Sequence, residues 1–228
     1  ALLINPNYAQ AYNNLGTAFH KLNKADEAID NYKKAISFKT DFAEAFNNLG
    51  NGMRELNRLK NALRYYKKAI QIKSDYAEAY NNLGVALKEQ GKLDKAIQSY
   101  QRALVLNPEF AAAHNNLGLT FKETGDLDQA IAAYRRAIDL NPNYLAAYVN
   151  LSTALMAQGK VVEAIHKLRY ALGIDPNHIE LRTNYDMACL TVGDFENGWQ
   201  DYEWRLQTES LHRDFSSIPW AGQEMLGS

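Results

Sequence analysis

Six asparagines, Asn14, Asn48, Asn82, Asn116, Asn150 and Asn184, stand at intervals of 34 residues. An Asn side chain offers two N–H donors and a carbonyl acceptor without net charge, the complement of a peptide group with its own N–H and C=O exposed. Three cations on the same interval, Arg54, Lys88 and Lys122, are each followed by a glutamate, Glu55, Glu89 and Glu123. That set is nearly charge-balanced and reads first as an ordinary solvated face. Chemistry that makes or breaks bonds has no such support. The five histidines, His20, His114, His166, His178 and His212, include no pair at i, i+4 of the kind that holds zinc. Cys189 has no adjacent His or Asp to activate it. No Gly-rich phosphate loop is present, because Gly16, Gly50, Gly84 and Gly118 fall inside helical patterns. No catalytic residue, metal site or cofactor is expected.

Something must position those amides, and the spacing says what. The phrases "AQAYNNLG" (9–16), "AEAFNNLG" (43–50), "AEAYNNLG" (77–84) and "AAAHNNLG" (111–118) mark a fixed 34-residue period, which is the signature of a repeat architecture. The registers are 9–42, 43–76, 77–110, 111–144 and 145–178, with a degenerate sixth at 179–212, a remnant of a preceding repeat at 1–8, and a tail or junction at 213–228. Within a repeat the apolar spacing is helical: Tyr80, Leu83, Gly84 and Leu87 form one stripe, and Leu93, Ala96, Ile97, Tyr100, Ala103 and Leu104 form a second after the turn at Gly91. Asp94 favours the start of the second helix, and Asn107 with Pro108 ends it. Each repeat is therefore a helical hairpin, helix A followed by helix B. A lone hairpin cannot bury its faces, so the hairpins stack. The small residues are packing devices, with Gly16, Gly50, Gly84 and Gly118 in helix A and Ala28, Ala62, Ala96, Ala130 and Ala164 in helix B.

Aromatic-x-x-Leu-Gly-x-x-apolar, then Ala-x-x-x-aromatic-x-x-Ala, then Pro, all within 34 residues, resembles the tetratricopeptide repeat from residue 9 to about 205. The resemblance implies an all-α fold, a right-handed α-α superhelix of antiparallel helix hairpins, with the A helices lining a concave groove that holds a peptide or partner. Thr40 and Ser74 depart from the usual Pro, Ser152 from Gly, and Leu168 from the aromatic.

At about 100° per residue, the sixth residue of each repeat lies opposite the packing stripe, so the six asparagines face the groove as a ladder. Extended chain advances about 3.3 Å per residue and packed helices stand about 8–10 Å apart, so rungs meet a peptide about every third residue. Such contacts read backbone. The arrangement resembles the asparagine ladder of the superhelix in O-linked N-acetylglucosamine transferases, carried here onto Asn14, Asn48, Asn82, Asn116, Asn150 and Asn184. The preceding Asn13, Asn47, Asn81 and Asn115 point sideways, toward solvent or the neighbouring repeat. Replacing Asn48 and Asn82 by Ala is then expected to weaken peptide binding and leave thermal stability nearly unchanged. The carboxylate clamp of chaperone-binding relatives needs a Lys at the second repeat position, where this chain has Gln10, Glu44, Glu78, Ala112, Ala146 and Glu180. Toward the C-terminus Met156, Met187 and Leu190 turn the groove apolar.

With 25 basic and 26 acidic side chains interleaved, the chain has no basic stripe for nucleic acid. No apolar run approaches the roughly 20 residues that span a bilayer. The single Cys189 precludes an internal disulfide and suits a reducing, cytoplasmic setting. "ALLINPNY" begins in mid-repeat, which suggests a fragment with an exposed apolar edge and end-to-end self-association. At the other end G-W-x-x-Y-E-W-R followed by P-W-x-G resembles the junction in bacterial proteins where such an array runs into a glycosyltransferase-like domain; the plainer reading is a cap formed by Trp199, Tyr202 and Trp204. Three functions follow: a non-catalytic scaffold for a protein or peptide ligand, the substrate-recognition arm of a larger glycosyltransferase-type enzyme, or a self-assembling scaffold.

Overall fold

A computed structural model describes residues 8–199, and these contain twelve helices and no strand. In chain order they are α1 (Ala9–Lys21), α2 (Ala25–Phe38), α3 (Ala43–Glu55), α4 (Leu59–Ile72), α5 (Ala77–Glu89), α6 (Leu93–Leu106), α7 (Ala111–Thr124), α8 (Leu127–Leu140), α9 (Leu145–Ala157), α10 (Val161–Ile174), α11 (Ile179–Thr191) and the short α12 (Phe195–Trp199). Every odd helix packs against the even helix that follows it, each even helix packs against the next odd one, and successive odd helices touch along one face. The result is the all-α solenoid of antiparallel hairpins that the repeat pattern implies.

The turns inside the hairpins explain one recurring letter. Asn23, Asn57, Gly91, Gly125, Gly159 and Gly193, again 34 residues apart, all have positive φ between 56° and 85°. A left-handed residue ends each odd helix, and only Gly or Asn takes that conformation readily. Between hairpins the chain leaves the even helices in extended conformation at Asn107, Asn141 and Asp175. The side-chain oxygen of each accepts the backbone N–H two residues on, in Glu109, Asn143 and Asn177. This local bond turns the chain into the next helix.

Helix contact within a hairpin is set by glycine against tyrosine. A Cβ on Gly16, Gly50, Gly84 or Gly118 would lie 2.5–2.7 Å from a ring carbon of Tyr32, Tyr66, Tyr100 or Tyr134 respectively. The four rings are buried, and each contributes roughly 1.5–3 kcal/mol of burial. The fifth hairpin departs at both partners together. Ser152 replaces the glycine and Leu168 the tyrosine, both fully buried, and α9 and α10 are in less extensive contact than the helices of the first four hairpins. The two departures compensate: without the ring there is room for a Cβ, and without the glycine the helices are in less extensive contact. The helix-B alanines are fully buried at Ala28, Ala62, Ala96, Ala130 and Ala164, and again one turn on at Ala35, Ala69, Ala103, Ala137 and Ala171.

The remnant at 1–7, Tyr202, Trp204 and the tail from 213 lie outside the described residues, as does all of the junction motif beyond Gly198 and Trp199.

Candidate functional site

Asn48, Asn82, Asn116, Asn150 and Asn184 lie half-buried on α3, α5, α7, α9 and α11, and Asn14 is exposed on α1. Their amides are not idle. Asn48 Nδ2 donates to Asn13 Oδ1 at 3.0 Å, Asn82 Nδ2 to Asn47 Oδ1 at 3.0 Å, Asn116 Nδ2 to Asn81 Oδ1 at 3.0 Å, and Asn150 Nδ2 to Asn115 Oδ1 at 3.0 Å. Each bond crosses from one odd helix to the next. The acceptors Asn13, Asn47, Asn81 and Asn115 are themselves buried in the seam, where they have another partner in Glu44 for Asn13 at 2.8 Å and Glu78 for Asn47 at 3.4 Å. At the last seam, where Val149 stands in place of the acceptor asparagine, Asn184 Nδ2 donates to Ser152 Oγ at 3.1 Å.

With these bonds in place, truncating the asparagines is expected to cost stability, against the expectation from the sequence. Each donor satisfies a buried carbonyl in the previous repeat, and an orphaned buried acceptor costs about 1–3 kcal/mol. Among the described residues, one N–H and the carbonyl of Asn48, Asn116 and Asn150 have no partner, on side chains that remain partly exposed. Asn82 Oδ1 accepts from Asn81 Nδ2 at 3.3 Å, and Asn14 Oδ1 from Gln10 Nε2 at 3.1 Å.

Two turns further along the same helices is a second line of rungs. His20 Nε2 meets Glu55 Oε1 at 2.7 Å, Arg54 Nη1 meets Glu89 Oε1 at 2.9 Å, and Lys88 Nζ meets Glu123 Oε1 at 2.9 Å. The glutamate that follows each cation in sequence therefore serves the preceding repeat. Both lines obey one rule, an offset of one repeat plus one residue, which is how helix A of one hairpin lies against the next. Sequence reasoning singled out Arg54, Lys88 and Lys122 and missed His20 and the cross-repeat pairing; the recurring 35-residue offset was the available signal. Lys122 has no ion-pair partner among the described residues, because the matching position holds Ala157.

Beneath the rungs lie the hairpin tyrosines. Tyr66 donates to Asn51 Oδ1 at 2.8 Å, and burial pushes its pKa up to about 12 against the opposing pull of Arg54. Burial opposes the Arg54 charge, but the bond to Glu89 and the nearby Tyr66 outweigh it, so the guanidinium pKa sits above its ordinary value. Val85 and Leu119 replace Asn51 in the next two repeats. Among the described residues the buried hydroxyl of Tyr134 has no partner and that of Tyr100 has only Thr120 nearby, and burial holds both phenols far above their usual range. His114, in the slot filled elsewhere by Tyr12, Phe46, Tyr80 and Tyr148, donates from Nε2 to the Pro108 carbonyl at 3.1 Å, and burial lowers its pKa. Burial raises the thiol pKa of Cys189. No cluster of three or more His, Cys, Asp or Glu side chains arranged to hold a metal occurs among the described residues, and no helix there is long and apolar enough to cross a membrane.

Alongside Asn48 the structure opens into a cleft of about 660 Å³. Glu44 and Glu78 contribute acceptors to it, while Lys39 and Lys73 sit over the rings of Phe42 and Tyr76, 5.1 and 5.2 Å from the centroids.

Stacked helical hairpins with a polar seam between successive odd helices define an α-helical repeat solenoid. Family models described as TPR repeat match residues 18–52, 53–91 and 86–125, and models described as Tetratricopeptide repeat match 111–144 and 1–30. The crystal structure of MamA is 30% identical with a TM-score of 0.63, over 71% of this chain and 94% of that one. The chain belongs to the tetratricopeptide repeat family. Its fold is also that of pilF from Pseudomonas aeruginosa, with 22% identity and a TM-score of 0.78 over 87% of this chain and 90% of that one. YrrB, described as a TPR protein with an unusual peptide-binding site, aligns at 23% identity and a TM-score of 0.59 over 79% of this chain and 93% of its own. No curated protein sequence gives a significant match.

Proposed function

We propose that the concave face binds an extended peptide segment of a partner protein, and that the chain acts as a non-catalytic interaction scaffold. The observation that carries this reading is the free hydrogen-bonding capacity of Asn48, Asn116 and Asn150: each amide is fixed by one seam bond and still presents a carbonyl and an N–H on the partly exposed face. A polar group held in place by a neighbour binds with less loss of side-chain freedom. The cleft beside Asn48 offers the room, with acceptors from Glu44 and Glu78 and apolar lining from Phe42 and Ile72. A similar ladder in O-linked N-acetylglucosamine transferases and the peptide site named for YrrB support the same kind of occupant.

The readings as the arm of a glycosyltransferase-type enzyme and as a self-assembling scaffold rest on residues near the two ends, mostly outside the described ones, and no feature of the helices favours either over the groove. The test is a peptide array followed by titration of the best binder. Replacing every third backbone amide by its N-methyl form is expected to weaken binding more than shuffling the side chains does. Binding that survives N-methylation and fails on shuffling would refute backbone reading.

A further inference from the structure

The ion-pair rungs hold an irregularity with a chemical meaning. Along the seam a basic side chain meets a glutamate of the next hairpin: His20 with Glu55, Arg54 with Glu89, Lys88 with Glu123. By the same offset Lys122 faces position 157, which is alanine. Its own sequence neighbour Glu123 is already engaged by Lys88. Lys122 is partly buried on α7 and forms no ion pair or hydrogen bond among the described residues. A half-desolvated cation without a counter-ion attracts an external anion more strongly than one already neutralised.

A second unpaired donor lies within the same hairpin, between α8 and α7. Tyr66 lies against α3, its hydroxyl bonded to Asn51 and beside Arg54. Two repeats on, the equivalents are Tyr134, Leu119 and Lys122. With Leu119 in place of Asn51, the Tyr134 hydroxyl is fully buried and has no partner among the described residues. The ion pair across the seam and the hydroxyl bond within the hairpin, both present at α3, are thus both absent at α7. Beyond the junction, Met156 is half-buried and Met187 is exposed on the next two odd helices.

We infer that the α7–α9 junction is a carboxylate subsite of the groove, where Lys122 takes an Asp or Glu side chain of the bound peptide and the methionines beyond it take a neighbouring apolar residue. This rests on the peptide-binding reading and adds to it a position and a sequence preference: an acidic residue next to an apolar one, engaged at one end of the groove.

The test uses a random-sequence peptide library of fixed length, selected on the full chain and on three variants. Ala157→Glu supplies the missing rung and should neutralise Lys122 as the other cations are neutralised; Lys122→Met removes the charge and keeps the stem; Glu123→Gln frees Lys88. The unsubstituted chain is expected to enrich peptides carrying an acidic residue beside an apolar one. Ala157→Glu and Lys122→Met should each lose that enrichment, and should bind the best acidic peptide about 3- to 10-fold more weakly, between an exposed and a buried charge pair. Glu123→Gln should retain it and admit acidic residues at a second place. Enrichment of peptides with no acidic preference, or one that Ala157→Glu leaves intact, overturns the subsite while the peptide-binding reading stands. No enrichment at all overturns both. Thermal midpoints of the variants within a few degrees of the parent show that the losses are not unfolding.

Discussion

Replacing Asn82 by Ala tests the double use of the seam. In the folded chain Asn82 Nδ2 donates to Asn47 Oδ1 at 3.0 Å, and Asn47 is completely buried. Truncation leaves that carbonyl without its donor, a loss of about 1–3 kcal/mol. Alanine's better helix propensity returns up to about 0.7 kcal/mol, so the net cost is about 1–2 kcal/mol, or roughly 2–8 °C in thermal midpoint for a domain of this size. Asn47→Ala behaves differently. It removes the acceptor and the long bond to Glu78, while the amide it frees on Asn82 is partly exposed and can turn to water. Adding Asn82→Ala to Asn47→Ala should therefore cost almost nothing more, giving a coupling of about 1 kcal/mol in a double-mutant cycle. The assay is helical circular dichroism on heating and in urea, with peptide titration on the same four proteins. Binding should fall in Asn82→Ala and in the double variant. Strict additivity, or an Asn82→Ala midpoint equal to the parent's, would refute the seam bond as a stabilising contact.

Four further outcomes follow from the packing. Gly84→Ala places a Cβ 2.7 Å from Tyr100 Cε1 and should destabilise by about 1–3 kcal/mol; adding Tyr100→Leu, which reproduces the Ser152 and Leu168 solution, should recover part of the loss, whereas additive losses would contradict the compensation. Gly173→Ala, with open space around it, should be neutral or stabilising by up to about 1 kcal/mol in the same melt. Gly91→Ala forces a side chain onto φ +73° and should lower stability by about 1–2 kcal/mol, while Asn57→Gly should not, as urea midpoints will show. For His114, burial lowers the native pKa, so between that value and about 6.5 the unfolded chain binds more protons. Stability should fall as pH drops through that window, and His114→Tyr should remove that part of the pH dependence of the thermal midpoint.

The period, the hairpins, the left-handed turn at Gly91 and the glycine and alanine packing were all legible, because each depends on residue size or backbone freedom at a fixed spacing. The place of Asn82 on helix A of its repeat was legible for the same reason. What Asn82 touches was not. Periodicity within one helix gives direction, but a seam bond depends on how one hairpin is offset against the next, and that offset is a property of the packed array. The same cause hid the Arg54 to Glu89 and Lys88 to Glu123 pairs behind the more obvious neighbours Glu55 and Glu89. Ser152 and Leu168, read as two separate departures, proved to be one exchange of shape across the fifth hairpin.

The central claim is that asparagine side chains fixed by the seam meet a peptide backbone on the concave face. The most direct measurement is the side-chain amide nitrogen and proton shifts of Asn48, Asn82, Asn116 and Asn150 during titration with the best binder from the array. The account predicts saturable shifts at these amides with a single midpoint, the seam-buried Asn47 and Asn81 moving less. Shifts confined to the even helices, with the four groove asparagines unmoved at saturation, would contradict it.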